Sequence, residues 1–217
     1  KVRTGEASAG WEIVKLTDKK DRGVLGFSGV RFASAGASET TRFEVPGTRS
    51  ADLFFLTQPS GGMLEVQADS KQVTRILTRF NRPEVAFANV KIPAGAQQIT
   101  LSTRQGPVAL FGAALENGLP GVIYDSVGIP GGSAEVFLRA DDRPFASQLS
   151  HRAPSLVVVM LGGNEAYEMG RGWMTLEGAR SSLDGLVERV RAAVPEASCL
   201  LTAPLDAGVR TVDGSIV

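Results

Sequence analysis

Asn164 follows a run of branched apolar residues, Val157-Val158-Val159-Met160-Leu161, and two glycines, Gly162 and Gly163. The run reads as a buried parallel strand. The glycines let the chain turn tightly and approach a ligand closely. Asn164 then stands on the loop at the strand's carboxyl end, where open α/β sheets place their sites. A side-chain N–H in that position can stabilise a developing oxyanion. A second glycine loop, Gly128-Ile129-Pro130-Gly131-Gly132, lies upstream, and Gly131 is the candidate for a backbone N–H in the same role. Removing one such donor costs on the order of 3–4 kcal/mol in the barrier, so Asn164→Ala in an active enzyme is expected to cut turnover about a hundredfold. The alternative is that Asn164 caps the turn after a strand.

Acyl-ester chemistry needs a nucleophile and a base as well. The single histidine, His151, is expected to end a helix, where positive charge is favourable; the base is its alternative role. Ser126 follows an apolar stretch and Asp125, and reads as a brace for the glycine loop, with the nucleophile as alternative. Glu165 is expected to fix its turn by accepting backbone N–H bonds, with acid/base work as alternative. Gly128, Gly162 and Gly163 shape the two loops. Tyr167, Met169, Arg171, Trp173 and Met174 form a long loop beside Asn164. Tyr167 and Trp173 are the candidate substrate wall, since aromatic faces suit sugar rings; the alternative is that Trp173 packs under the next helix. The lone Cys199 reads as a buried structural thiol. No cluster of His, Cys or carboxylates has metal-ligand spacing, and the loop at 128–132 lacks the phosphate-loop signatures. No metal and no cofactor are expected.

These residues must be positioned by two unlike halves. Residues 10–118 read as β, with candidate strands at 26–32, 40–45, 52–56, 63–68, 72–78, 85–92, 98–103 and 108–115. Leu64, Val66 and Ala68 alternate with Glu65 and Gln67, and turns such as Pro59-Ser60-Gly61-Gly62 separate the runs. Short strands at this spacing suggest a β-sandwich of jelly-roll type, in which Trp11 is expected to join the core like most sandwich aromatics, with an exposed aromatic able to meet a glycan as the alternative. Residues 119–217 alternate differently: a strand at 121–124, a helix at 134–151 that Pro144 breaks or kinks, a strand at 156–161, a helix capped by Thr175 and ended by Pro195, and a strand at 198–202. That order implies parallel pairing with right-handed crossovers. The fold class expected is α/β with an all-β insertion.

Composition excludes some partners. Lys+Arg and Asp+Glu are both 23, and hydrophobic residues make up 43%, with a pI near 6.8 and mean hydropathy +0.03. There is no electrostatic case for nucleic acid or an anionic membrane. No apolar run approaches the roughly 20 residues of a membrane span.

Gly162-Gly163-Asn164-Glu165 resembles the third conserved block, Gly-x-Asn-Asp/Glu, of the SGNH/GDSL hydrolases. Tyr124-Asp125-Ser126-Val127-Gly128-Ile129-Pro130-Gly131-Gly132 resembles their second block, and order and separation fit. The branch most similar is the bacterial polysaccharide and peptidoglycan O-acetylesterases, which carry a β-sandwich like a carbohydrate-binding module between the first and second blocks. The resemblance implies a partial flavodoxin-like parallel sheet, an acylated polysaccharide or peptidoglycan substrate, an extracytoplasmic location, and esterase or acyltransferase activity. It covers 119–206; over 10–118 it rests on architecture. The family's Gly-Asp-Ser and Asp-x-x-His blocks are absent, so the chain reads as an internal piece of a longer polypeptide. A processed or trimmed start at Lys1 fits that reading. The alternatives are a non-catalytic extracytoplasmic protein whose sandwich binds glycan or protein, and a nucleotide-binding α/β domain fused to a sandwich.

Overall fold

The computed structural model describes residues 6–18 and 23–204. Ten strands come first: β1 (Glu6–Ala7), β2 (Trp11–Lys15), β3 (Val30–Ser34), β4 (Thr40–Glu44), β5 (Ser50–Thr57), β6 (Met63–Ala68), β7 (Lys71–Leu77), β8 (Glu84–Lys91), β9 (Gln98–Arg104) and β10 (Ala109–Glu116). They form two five-stranded sheets, ordered β1-β4-β9-β6-β7 and β2-β3-β10-β5-β8. Every pairing within them is antiparallel. Late strands insert between early ones, β10 between β3 and β5 and β9 between β4 and β6, which is the nested order of a jelly roll. The sandwich core lies between the sheets and includes Leu53, Phe55, Leu64, Val66, Ile99 and Leu101.

Two strands depart from simple alternation, for different reasons. β5 is buried along almost its whole length. Ala51, Leu53 and Phe55 face the sandwich core, while Phe54 and Leu56 join Ala109 and Phe111 in a second cluster on the outer face. The segment carrying Val24 and Phe27, together with His151 of α2, covers that outer face, so both sides of the strand are largely apolar. In β6, Leu64, Val66 and Ala68 point inward as expected, yet Glu65 is buried too. Arg75 Nε and Arg104 Nη2 reach its carboxylate at 3.1 and 3.4 Å, and Gln67 donates to it at 3.0 Å.

The helical region contains α1 (Ala134–Leu138), α2 (Asp142–Arg152), β11 (Leu156–Met160), α3 (Gly163–Gly170), α4 (Leu176–Ala193) and β12 (Ser198–Thr202). β11 and β12 pair in parallel, Leu156 opposite Ser198 through Met160 opposite Thr202. Val157, Val159 and Cys199 pack against α1, α2 and α4 through two apolar clusters; Cys199 is half-buried rather than fully enclosed. Phe27 belongs to the cluster under α2 and to that on the outer face of β5, so it ties helix to sandwich. Gln148, 1% exposed, does the same with hydrogen bonds: its amide donates to Leu25 O and its oxygen accepts from Phe27 N.

The structure corrects several expectations. Residues 121–124 form no strand; they are irregular and exposed, with Val122 at 96%. The parallel sheet therefore has two described strands, not three. Residues 134–151 are two helices: α1 ends at Leu138, and α2 begins at Asp142, which makes Pro144 its third residue. Pro144 then sits in the first turn, where its missing N–H costs nothing. Arg189 seals the break by donating to Phe137 O and Ala140 O at 3.0 and 2.5 Å, its guanidinium 4.5 Å from the Phe145 ring centre. Trp11 is half-buried against the core and its indole N–H donates to Thr40 O, so it is not a free platform.

Candidate functional site

The two glycine turns do meet. Ile129-Pro130-Gly131-Gly132 is a β-turn closed by Gly132 N–H donating to Ile129 O at 2.8 Å. Proline at the second position and Gly131 at φ +72° give it the type II form, which needs a residue tolerant of positive φ at the third. Across from it, β11 ends and α3 begins at once. Asn164 is in the first turn of that helix, not on a loop. Its Nδ2 donates to Gly132 O at 2.8 Å. One amide hydrogen is thus spent on joining the turns, and the other remains.

Glu165 makes the second and third links. It is 2% exposed. Oε1 accepts from Ala134 N at 2.7 Å and Oε2 from Gly162 N at 2.9 Å. One carboxylate thereby binds the start of α1 to the start of α3. Its charge also lies at the amino end of α3, where the helix dipole favours it. Gly162 has φ +129°, and a Cβ there would lie 3.0 Å from Pro204 Cδ. Gly128 and Gly163 have open space around them and no left-handed φ, so the close-approach reason does not hold for these two. Ser126 is exposed and its hydroxyl has no partner among the described residues, so it does not brace the loop.

Tyr167 lies on α3 rather than in a loop, and so does Met169. The helix ends in a Schellman motif: Gly172 N donates to Met169 O and Trp173 N to Glu168 O, both at 2.9 Å, with Gly172 at φ +70°. This motif brings Trp173 back onto Tyr167. The ring centroids are 6.1 Å apart and the planes cross at 81°. Trp173 does not pack under α4: it is 70% exposed, and Tyr167 56%. Arg171, the residue that ends α3, stands over both rings, 5.3 Å from the Tyr167 centroid and 5.8 Å from that of Trp173.

His151 is placed elsewhere. It sits at the end of α2, stacked on Phe87 with centroids 3.7 Å apart and planes 3° from parallel, and its Nε2 meets Asp52 Oδ2 at 2.7 Å. Its neighbour Arg152 bonds Glu116 at 3.0 Å and Asp125 at 2.8 Å. Burial pulls the Arg152 pKa down, but those two carboxylates outweigh it and raise the pKa above its ordinary value. These contacts fasten α2 to the sandwich; among the described residues none joins His151 to Asn164. No group of His, Cys, Asp and Glu among the described residues could hold a metal ion. No helix among them is long and apolar enough to cross a membrane.

No family model matches the chain, and no curated protein matches its sequence. Solved structures do resemble part of it. The carbohydrate-binding module CsCBM6-3 from Clostridium stercorarium, solved with cellobiose, is 13% identical, covering 53% of this chain and 88% of its own, with TM-score 0.37. CBM51 from Clostridium perfringens GH95, solved with methyl-galactose, is 16% identical over 52% and 94%, with TM-score 0.38. The K3 adhesin domain of Lys-gingipain from Porphyromonas gingivalis is 8% identical over 53% and 98%, with TM-score 0.35. At these identities and scores nothing about the ligand of this chain follows from them.

Proposed function

We propose that this chain recognises a carbohydrate polymer, and that Tyr167 and Trp173 are its contact surface beside the joined turns. The observation that carries this reading is the exposure of that pair, 56% and 70%. It is the one ring pair among the described residues in which both members are exposed. Large apolar rings are normally withdrawn from water, and a pair left out together offers apolar area with a polar tip. The apolar face of a pyranose ring fits such a surface. In this reading the jelly roll is a rigid support for the helical region, and the protein works outside the cytoplasm, where cell-envelope polysaccharide is found. Isothermal titration calorimetry against a panel of soluble neutral and acidic polysaccharides tests it. Trp173→Ala is expected to weaken binding about tenfold. Failure of the unaltered chain to bind any member overturns the reading.

A second, finer reading is favoured by the Asn164–Gly132 bond. Two turns from separate segments, held together by Asn164 and Glu165, offer the remaining Nδ2 hydrogen of Asn164 and the first-turn amides of α3 as donors. That arrangement suits the oxyanion arm of an SGNH-type O-acetylesterase or acyltransferase acting on acylated polysaccharide. Nucleophile and base are then supplied by other parts of the same polypeptide, since among the described residues neither Ser126 nor His151 is hydrogen-bonded to Asn164. Assay of the longer polypeptide with a chromogenic acetyl ester tests this. Asn164→Ala is expected to lower turnover about a hundredfold, and unchanged turnover overturns it.

A further inference from the structure

We infer that the Tyr167–Arg171–Trp173 corner selects a sugar bearing a carboxylate, a hexuronate within a polymer. This rests on the glycan reading above and narrows it. Arg171 is exposed. It makes no ion pair among the described residues, and Glu168 and Glu177, its acidic neighbours in sequence, leave it unpaired. Elsewhere in the chain, arginines that hold a fixed position are tied to carboxylates or carbonyl oxygens: Arg75 and Arg104 to Glu65, Arg152 to Glu116 and Asp125, Arg189 to Phe137 O and Ala140 O. Arg171 is instead held by two rings. Both centroids lie within about 6 Å of its guanidinium, the range of a cation–π contact.

That leaves its N–H donors for a ligand. A guanidinium presents paired donors in a plane that matches a carboxylate. Trp173 and Tyr167 present apolar area to a sugar ring at the same place. A neutral hexose uses only the rings and leaves the guanidinium in water. A free carboxylate uses only the guanidinium. A hexuronate carries ring and carboxylate in one residue and uses both. The corner is also prebuilt, because the Schellman motif fixes Trp173 and one turn of helix separates Tyr167 from Arg171. Little side-chain freedom is then lost on binding.

The test is calorimetry with acidic oligosaccharides: oligogalacturonate, oligomannuronate and hyaluronan oligomers, each paired with its carboxyl methyl ester. The expected result is that at least one acid binds about tenfold tighter than its own ester at low ionic strength, an advantage that shrinks in salt. Arg171→Gln brings that ratio to about one. Arg171→Lys keeps the charge but loses the planar fork, and gives an intermediate ratio. Equal binding of every acid and its ester overturns the inference and leaves the glycan reading standing. A ratio that survives Arg171→Gln also overturns it, since another cation is then responsible. Absence of binding by every acid and every ester overturns the inference, and the neutral members of the panel then decide the glycan reading by themselves.

Discussion

Glu165→Gln separates a buried carboxylate that holds two segments together from one that merely fills space. In the native protein its two oxygens each accept from a backbone amide, Ala134 N and Gly162 N. Glutamine keeps the volume and one acceptor. Its NH2 must then face one of the two amides, donor against donor, and the surviving bond loses its charge. A hydrogen bond to a charged group is worth about 1.5–3 kcal/mol, and a buried donor left without a partner costs about 1–3 kcal/mol. These overlap, so a loss of about 2–4 kcal/mol is expected. For a chain of this length that is a fall in Tm of about 5–12 °C. Glu165→Ala strands both amides and opens a cavity, so it falls further than Gln. Glu168→Gln, on the same helix but without such bonds, stays within about 0.5 kcal/mol. Differential scanning calorimetry of the three variants decides the matter. A Glu165→Gln melt within about 2 °C of the native one, or equal to that of Glu168→Gln, refutes the idea that this carboxylate ties α1 to α3.

Other substitutions check other links. Gly172→Ala forces a side chain into φ +70°; it is expected to cost about 1–2 kcal/mol and to alter Trp173 emission, and an unchanged spectrum counts against the motif as the device that places that ring. Thr175 Oγ1 accepts from Gly178 N at 3.1 Å at the start of α4, so Thr175→Ala is expected to lose about 1 kcal/mol in urea denaturation, with no loss refuting the cap. Burial alone raises the Glu65 pKa, but the hydrogen bond from Arg75 and the charges of Arg104 and Arg75 prevail and hold it below the usual carboxylate range. A lowered folded pKa means stability that is present above the ordinary value and lost as pH falls through the folded one. The gap between native protein and Glu65→Gln should therefore be wide at neutral pH and shrink steadily as pH falls below the ordinary carboxylate range; a gap that does not change with pH refutes the pairing.

Much of the sandwich was legible because a strand in a two-layer fold leaves a period-two trace. Met63–Ala68 and Ser198–Thr202 have the bounds read from the sequence, and most of the others lie within two residues of theirs. The trace fails where a second layer intervenes. At β5 the outer face is apolar because Val24 and Phe27 pack on it, and at β6 a buried glutamate is solvated by arginines from neighbouring strands. Neither partner is local in sequence. β1 and β2 were too short or too exposed to carry a pattern. The segment at 121–124 shows the opposite error. Apolar residues give a run the means to be a strand, but a neighbour must supply the hydrogen bonds, and none among the described residues does so.

Legibility of the candidate site divides along the same line. The two turns near Gly131 and Asn164 could each be read, because each carries its own local signature of glycine after an apolar run or after proline. The link between them could not: Asn164 to Gly132 and Glu165 to Ala134 span about thirty residues. Arg171 was hidden for a different reason. Its neighbours looked like a loop because Gly170, Gly172 and two aromatics break any helical stripe, while the residues before them in fact complete two turns of α3. Once that helix is recognised, Gly172 becomes its stop signal, and the positions of Trp173 and Tyr167 follow from the capping geometry. A guanidinium at Arg171 then has two rings beneath it and, among the described residues, no carboxylate against it. The arginine stands against those rings because the glycine beside it ended the helix there.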